Sequence, residues 1–136
     1  MKDKDYYFTI ESNGIAEFKD RGSRFVAYSF PFNNSGDLKK HLQYLKKQHP
    51  KASHYCFAYR SGIEGNNFRS GDDGEPSGTA GKIILGQIDS KELTDILLVV
   101  VRYFGGTLLG KTGLINAYKT ASSLVLQCTT TIQKAV

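Results

Sequence analysis

Hydrophobic residues recur in several short runs along this chain, in the pattern typical of β-strands. Two such runs, Tyr6 to Ile10 and Ile15 to Phe18, flank the tetrapeptide Glu11 to Gly14. Because Asn-Gly is favoured in tight hairpin turns, the Asn13-Gly14 pair predicts that these two strands pair with each other. A third strand is predicted from Arg24 to Phe32, which is rich in aromatic residues.

After the third strand, the hydrophobic residues recur at helical spacing. Leu38, Leu42 and Leu45 recur at intervals of four and three residues, which predicts an amphipathic helix. Asn34 or Ser35 provides an N-cap, since short polar side chains accept hydrogen bonds from free backbone N–H groups. Pro50 ends the helix.

The second half of the chain predicts two strands and two helices around a polar loop. His54 to Arg60 reads as a strand, and residues 63–67 as a turn. The loop covers residues 70–81, and a short helix is predicted over about residues 78–88. Thr94 to Phe104 contains a continuous apolar strand, and the last helix begins near Gly113. One apolar stripe defines that helix: Leu114, Tyr118, Ala121 and Val125.

This alternation of strands and helices predicts a single domain of the α+β (mixed α/β) sandwich class with one sheet. The 136 residues are 40% hydrophobic, enough for a core, and the longest apolar run, Ile96 to Val101, is too short to span a membrane. The charged N-terminus, Met1 to Asp5, does not read as a signal peptide. A cytoplasmic location is therefore expected.

Charge and cysteine content narrow the function classes only slightly. Cys56 and Cys128 are too few and too far apart in sequence for a disulfide framework or a structural zinc site. The net charge of +5 favours anionic partners. Many basic domains never bind nucleic acid, so the charge alone does not predict a nucleic-acid ligand.

Two segments carry most of the information about identity. The first is Asp72-Asp73-Gly74-Glu75-Pro76-Ser77-Gly78-Thr79-Ala80-Gly81, and the second is Val99-Val100-Val101-Arg102-Tyr103-Phe104-Gly105-Gly106 with the glycines that follow it. Together they closely resemble the signature of the YigZ/IMPACT family. Matches upstream, such as residues 23–27 and 54–59, extend the resemblance from about Phe18 to Ala121.

The resemblance implies a fold like the second domain of ribosomal protein S-five: a two-layer sandwich with a mixed sheet, two main helices and a short third on one side. It also implies a binding or regulatory role in translation. Eukaryotic relatives regulate translation under amino-acid stress by competing for a partner of the kinase that acts on initiation factor two. Bacterial relatives usually carry a second, ferredoxin-like domain, which is expected to be absent from a chain that stops at Val136.

A small-anion site is expected between Gly105 and Gly113, where glycines join a strand to a helix N-terminus. Arg102 and Lys111 add positive charge there. The alternative is that the glycines simply form a compact turn. The candidate ligand-binding residues are Asp72, Asp73, Glu75, Ser77, Thr79, Arg102, Tyr103, Gly105, Gly106, Gly110, Lys111 and Gly113.

The same stretch also fits the phosphate-binding loop pattern G-x-x-x-x-G-K-[ST], from Gly105 to Thr112. This match supports an alternative function, namely an enzyme of phosphate esters or nucleotides. It would use this turn and the polar loop of residues 70–81, which we call the acidic loop. Against it, no upstream apolar strand ends in the Asp that would hold magnesium. No catalytic residue and no cofactor are predicted.

The acidic loop admits a metal and a structural interpretation. Asp72, Asp73 and Glu75 could hold Mg²⁺ through their oxygens. The structural interpretation is preferred, in which these side chains form turns and cap the following helix, and Asp72 or Asp73 forms an ion pair with Arg102 or Arg60. Glu75-Pro76 then reads as the entry to that helix. No metal ligand is therefore assigned.

The three histidines and a lysine cluster are the remaining candidates. His54 and Cys56 lie on one face of a strand and read as core residues, whereas His41 and His49 read as helix-surface residues. The candidate nucleic-acid contacts are Arg24, Lys39, Lys40, Lys46 and Lys47, with a solvated helix face as the alternative. The predicted partners are a translation-associated protein or RNA, and no membrane.

Overall fold

A computed structural model describes residues 5–136. Most of the charged N-terminal segment, residues 1–4, therefore lies outside the described residues. The elements follow one another along the chain as β1 (Tyr6–Ile10), β2 (Gly14–Asp20), β3 (Ser23–Pro31), a 3₁₀ turn (Ser35–Asp37), α1 (Leu38–Gln48), β4 (His54–Ser61), β5 (Asn67–Gly71), α2 (Gly81–Ser90), β6 (Ile96–Tyr103), α3 (Gly110–Gln127) and β7 (Thr131–Ala135).

Five strands form the main sheet in the order β2-β3-β6-β4-β5, and every neighbouring pair is antiparallel. The most apolar strand, β6, occupies the centre, and its residues 96–101 are fully buried. A strand that is apolar at every position needs cover on both faces of the sheet.

Helices provide that cover on both faces. Ile84 and Ile88 of α2 and several residues of α3 pack with Leu98 and Val100 on one face. Leu38 and Leu45 of α1 pack on the other face. The predicted α+β class, with two main helices and a shorter one, is confirmed. Two details of that prediction are wrong. Every strand pair of the main sheet is antiparallel, so the sheet is not mixed. The helices do not share one side, because the apolar residues of β6 point to both faces and α1 covers the face opposite α2 and α3.

The predicted pairing of the first two strands is also wrong. Residues 6–10 of β1 pair antiparallel with residues 131–135 of β7 in a separate two-stranded sheet, so the fold has two sheets rather than one. The tight hairpin joins β2 to β3 instead, through Arg21 and Gly22, whose φ angles are 46° and 86°. Two consecutive positive φ angles match the turn that follows the twist of paired strands.

The helix boundaries agree with the sequence in part. The side chain of Asn34 accepts a hydrogen bond from the Gly36 N–H and so caps the 3₁₀ turn before α1. The predicted cap of α1 itself is wrong, because the residue at its N-cap, Asp37, makes no side-chain capping bond. The helix ends two residues before Pro50, as predicted. The second helix begins at Gly81 rather than Gly78, and Glu75-Pro76 is therefore not its entry. The last helix begins at Gly110, which places Gly113 within its first turn.

The prediction that His49 lies on a helix surface is wrong. His49 is buried at the end of α1, and its two ring nitrogens lie 2.5 Å from the hydroxyls of Tyr28 and Tyr103. His41 is half-buried and packs against the rings of Phe30 and Phe32. Both histidines connect α1 to the sheet. The spacing of residues within one helix cannot predict such contacts with neighbouring strands.

Candidate functional site

A buried ion pair joins the acidic loop to the end of β6. Glu75 and Arg102 are only 7% and 5% exposed, and Nη1 of Arg102 lies 2.9 and 2.8 Å from the two carboxylate oxygens of Glu75. Nη2 of Arg102 donates to Ser23 Oγ at 3.2 Å, and Nε has no partner among the described residues. Pairing with a carboxylate is what makes a buried guanidinium tolerable.

Two further side chains reach the Glu75 carboxylate. The Tyr118 hydroxyl of α3 donates to Oε2 at 2.5 Å, and His54 Nε2 lies 3.4 Å from Oε1. Burial strongly raises the pKa of the Tyr118 hydroxyl, so it stays protonated and acts as a donor at neutral pH. Glu75 therefore connects β4, β6 and α3 through one carboxylate.

Cys56 lies beside this cluster as a buried thiol. Its sulfur is 3.1 Å from the Asp72 carbonyl oxygen and 3.3 Å from the Tyr118 hydroxyl. Burial is the main reason why the pKa of the Cys56 thiol lies far above its usual range. The neutral thiol is a poor nucleophile, which agrees with its interpretation as a core residue.

Asp72 caps α2 from outside the helix. Its carboxylate accepts hydrogen bonds from the N–H groups of Ala80 and Gly81 through Oδ1, and from Gly78 through Oδ2, at 2.8 to 3.2 Å. This is the structural role that the sequence favours for the loop. The carboxylate accepts hydrogen bonds from free N–H groups, and its negative charge interacts favourably with the positive end of the helix dipole.

We expect Asp72→Ala to lower the free energy of unfolding by about 2 kcal/mol, the upper end for loss of a helix cap. Urea denaturation followed by circular dichroism measures the change. Ser77→Ala is the matched control, because Ser77 belongs to the same loop and is exposed. An equal loss of stability in both variants would contradict the capping role.

The remaining acid of the loop holds the start of β4. Asp73 Oδ2 accepts from the Tyr55 N–H at 2.8 Å, and its carbonyl oxygen lies 2.7 Å from His54 Nδ1. The ion pairs predicted for Asp72 or Asp73 are wrong: Arg102 pairs with Glu75, and Arg60 pairs with Asp89 of α2 at 2.8 Å. Sequence could not select the correct acid, because the three acids lie within four positions of each other.

The turn between β6 and α3 holds most of the other candidate residues. Gly105 packs directly against the β2–β3 turn, since an added Cβ would lie 2.0 Å from the backbone carbon of Gly22. Gly106 and Gly110 have φ angles of 88° and 74°, which favour glycine. The compact-turn interpretation thus explains all three glycines, and the small-anion site stays a prediction.

Positive charge surrounds the first turn of α3. Lys111 is exposed, and the Arg21 guanidinium lies against Gly113, 2.7 Å from where a Cβ would stand. Arg21 also pairs with Asp20 at 3.2 Å. Two other candidates form hydrogen bonds within the domain. The buried Thr79 hydroxyl donates to the Pro76 carbonyl oxygen, and the Tyr103 hydroxyl forms a hydrogen bond with His49 Nδ1.

The turn exposes two large apolar side chains. Phe104 is 49% exposed and Leu108 is 85% exposed. The Phe104 ring covers the buried ion pair from outside, with its centroid 5.6 Å from Cζ of Arg102. Ser53 Oγ accepts from the Phe104 N–H at 3.1 Å and fixes the start of the turn.

The family model for the Impact N-terminal domain matches residues 21–126 of this chain. The chain belongs to the Impact N-terminal domain family. It is 41% identical over 112 residues to the IMPACT family member YvyE of Bacillus subtilis, covering 82% of this chain and 52% of that protein. The chain spans about half the length of the curated relatives it matches.

Two solved structures resemble this Impact domain. A crystal structure described as that of a hypothetical protein superposes with a TM-score of 0.92 at 31% identity, over 97% of this chain and 65% of the other. The two-domain translational regulator Yih1 superposes with a TM-score of 0.50 at 25% identity, over 90% of this chain and 47% of the other. The presence or absence of a second domain in the whole protein stays a prediction.

The surroundings of the Gly105–Thr112 segment differ from what nucleotide hydrolysis needs. Both neighbours of β6 in the Impact domain run antiparallel to it, so no parallel strand stands beside it to present a magnesium-binding Asp. Among residues 5–136, no three His, Cys, Asp or Glu side chains are grouped to hold a metal ion. Turnover of a nucleotide panel with Mg²⁺, compared between the parent and Lys111→Ala, tests this alternative directly.

The candidate nucleic-acid residues of the Impact domain do not form one patch. Lys39 and Lys46 lie on the side of α1 that faces β5, in a groove with Arg69. Lys40 and Lys47 are exposed elsewhere on α1. Arg24 bonds to Glu17 at 2.7 Å and lies over the Tyr103 ring, so its charge is already paired. Within the part of the chain that the structure describes, no helix is both long and apolar enough to cross a membrane.

Proposed function

We propose that this Impact domain is a binding module of translation control, which engages a ribosome-associated protein or RNA rather than transforming a substrate. The proposal is supported by the likeness to Yih1, a protein described as a two-domain translational regulator. Action under stress and in the cytoplasm belongs to the same proposal. It is also supported by the chemistry of the candidate site.

One observation carries the proposal: the three acids and the arginine of the signature bond within the domain, and the turn after β6 exposes two large apolar side chains. Asp72, Asp73 and Glu75 all bond to the domain's own atoms. Phe104 and Leu108, which are both exposed, lie on the turn that this framework fixes. A large apolar side chain on a fixed turn gains most when a partner covers it.

We expect Leu108→Asp to weaken co-sedimentation of the domain with purified bacterial ribosomes at least tenfold, the effect of removing one central apolar side chain from an interface. Leu108 is 85% exposed, so the substitution leaves the core intact. Ile63→Asp is the matched control, because Ile63 is an exposed apolar residue in the turn between β4 and β5. Equal binding by both variants and the parent would remove this turn from the interface.

A salt titration separates the two partner classes. Binding through phosphates weakens steeply between about 50 and 200 mM salt, because each contact releases a counterion. Binding of the apolar turn to a protein depends much less on salt. A ribosome affinity that ignores ionic strength would therefore exclude the RNA part of the proposal and leave the protein part.

A further inference from the structure

An open trough with aromatic walls lies beside α1, at the β2 edge of the main sheet. Ile15 of β2 and Tyr28 and Phe30 of β3 form its floor, and His41 and Tyr44 of α1 form one wall. Its volume is about 650 Å³, within the usual range for ligand sites of about 300–1,000 Å³. We call this feature the aromatic trough.

Two rings of the aromatic trough, Tyr28 and Phe30, are held in place by contacts within the domain. The Tyr28 and Phe30 rings are parallel within 1°, with centroids 6.1 Å apart, and the Tyr28 hydroxyl is fixed by His49. Tyr44 is 54% exposed at the rim. Rigid aromatic surfaces of this kind bind planar rings with little loss of side-chain entropy.

The charges around the aromatic trough favour an anion outside it and a neutral group within it. None of the residues that line it is acidic, and burial lowers the pKa of His41, which is therefore neutral at pH 7. Lys40 and Lys47 lie four residues before and three after Tyr44, so they flank it on the helix surface. Neither lysine pairs with a carboxylate among the described residues.

We propose that the aromatic trough binds single-stranded RNA, with a base stacked on Tyr44 and Tyr28 and the adjoining phosphates contacted by Lys40 and Lys47. This deepens the proposed function, since it names RNA as the ligand of one surface, and it rests on that function for its biological setting. Neutral rings with flanking cations match a nucleotide strand, which alternates planar bases with phosphates. An acidic peptide would instead bring its carboxylates into a trough without a cation.

The test measures binding of a short fluorescein-labelled oligoadenylate to the whole chain by fluorescence anisotropy. We expect Tyr44→Ala to weaken binding about tenfold, the effect of removing one stacking surface. Phe68→Ala is the matched control, because Phe68 is 55% exposed and lies on β5, at the other edge of the sheet from β2. Binding by Tyr44→Ala that equals the parent would overturn the proposal.

The lysines are tested by the salt dependence of the same binding. Replacing Lys40 and Lys47 by Gln together should reduce the slope of log affinity against log salt by about 0.7 for each phosphate that is no longer neutralised. Tyr44→Ala should leave that slope unchanged, since stacking releases no counterion. Replacing Lys82 of α2 and Lys119 of α3 by Gln together, across the sheet, is the control for net charge. An unchanged slope in the double variant would overturn the phosphate contacts.

Three outcomes decide how this inference stands relative to the proposed function. If oligoadenylate does not bind at about 50 mM salt while ribosome binding remains and depends on Leu108, the aromatic trough is not an RNA site and the proposed function stands. If polyglutamate competes as well as oligoadenylate, the surface is a general anion site and the inference is wrong. If oligoadenylate binds through Tyr44 but ribosomes do not bind the domain, the aromatic trough is an RNA site and the proposed function is wrong.

Discussion

Replacing Glu75 by alanine is expected to lower the free energy of unfolding by about 3–5 kcal/mol, the usual cost of removing one partner of a buried ion pair. The Arg102 guanidinium would remain 5% exposed without its carboxylate, and the Tyr118 hydroxyl would lose its acceptor. Because an unpaired buried charge is so costly, this substitution should have the largest effect of any in the signature. Chemical denaturation at neutral pH measures it.

Two controls show that burial, and not ion pairing in general, sets the size of this effect. Asp89→Ala breaks the Arg60–Asp89 pair, in which the Asp89 side chain is 45% exposed, and should cost at most about 1 kcal/mol. Replacing Glu75 by Leu and Arg102 by Met together removes both charges and should recover much of the stability. A cost for Glu75→Ala no larger than that for Asp89→Ala would refute this account.

The second large effect is expected from Gly105→Ala, which should destabilise the domain by about 3 kcal/mol or more, at the upper end for overpacking. A methyl group there would lie 2.0 Å from the backbone carbon and 2.1 Å from the backbone oxygen of Gly22. Neither atom can move without opening the β2–β3 turn. Thermal unfolding measures the loss of stability.

Gly86→Ala is the matched substitution for Gly105→Ala. Gly86 lies within α2, and no atom stands within 4 Å of the position of its Cβ. Alanine should therefore stabilise the domain by up to about 1 kcal/mol through helix propensity alone. If the two substitutions changed stability in the same direction by the same amount, close packing would not be the reason for Gly105.

The sequence predicts elements well wherever one period dominates. The alternation in β3 and β4, the leucines of α1 and the run of β6 each specify their own element, and all four are present. Strand pairing is less predictable, because β1 pairs with β7, which follows it by more than 100 residues. That last strand, Thr131–Ala135, has little apolar character and no strand pattern that predicts it.

One signal in the sequence does indicate that helices cover both faces of the sheet. Residues 96–101 of β6 are apolar without interruption, which is typical of a strand covered on both faces. A sandwich with helices on one side would have left Leu97, Val99 and Val101 exposed. Those residues pack instead beneath α1.

The candidate site is predictable from sequence as a region but not as a set of contacts. The two signature segments do meet, through Glu75 and Arg102. The roles within the acidic loop depend on which carboxylate turns inward, and adjacent acids look alike in a sequence. Tyr118 is predicted only as a residue of an apolar stripe, and its hydrogen bond to Glu75 has no sequence signal.

The small β1–β7 sheet also determines how the domain responds to mechanical load. Tyr6 lies opposite Ala135, so both ends of the described chain leave the same end of one antiparallel ladder. Tension on those two ends would separate the rungs one after another, from Tyr6–Ala135 to Ile10–Thr131, instead of shearing them all together. The ladder would therefore yield at low force, while the five-stranded sheet and its ion pair keep their shape.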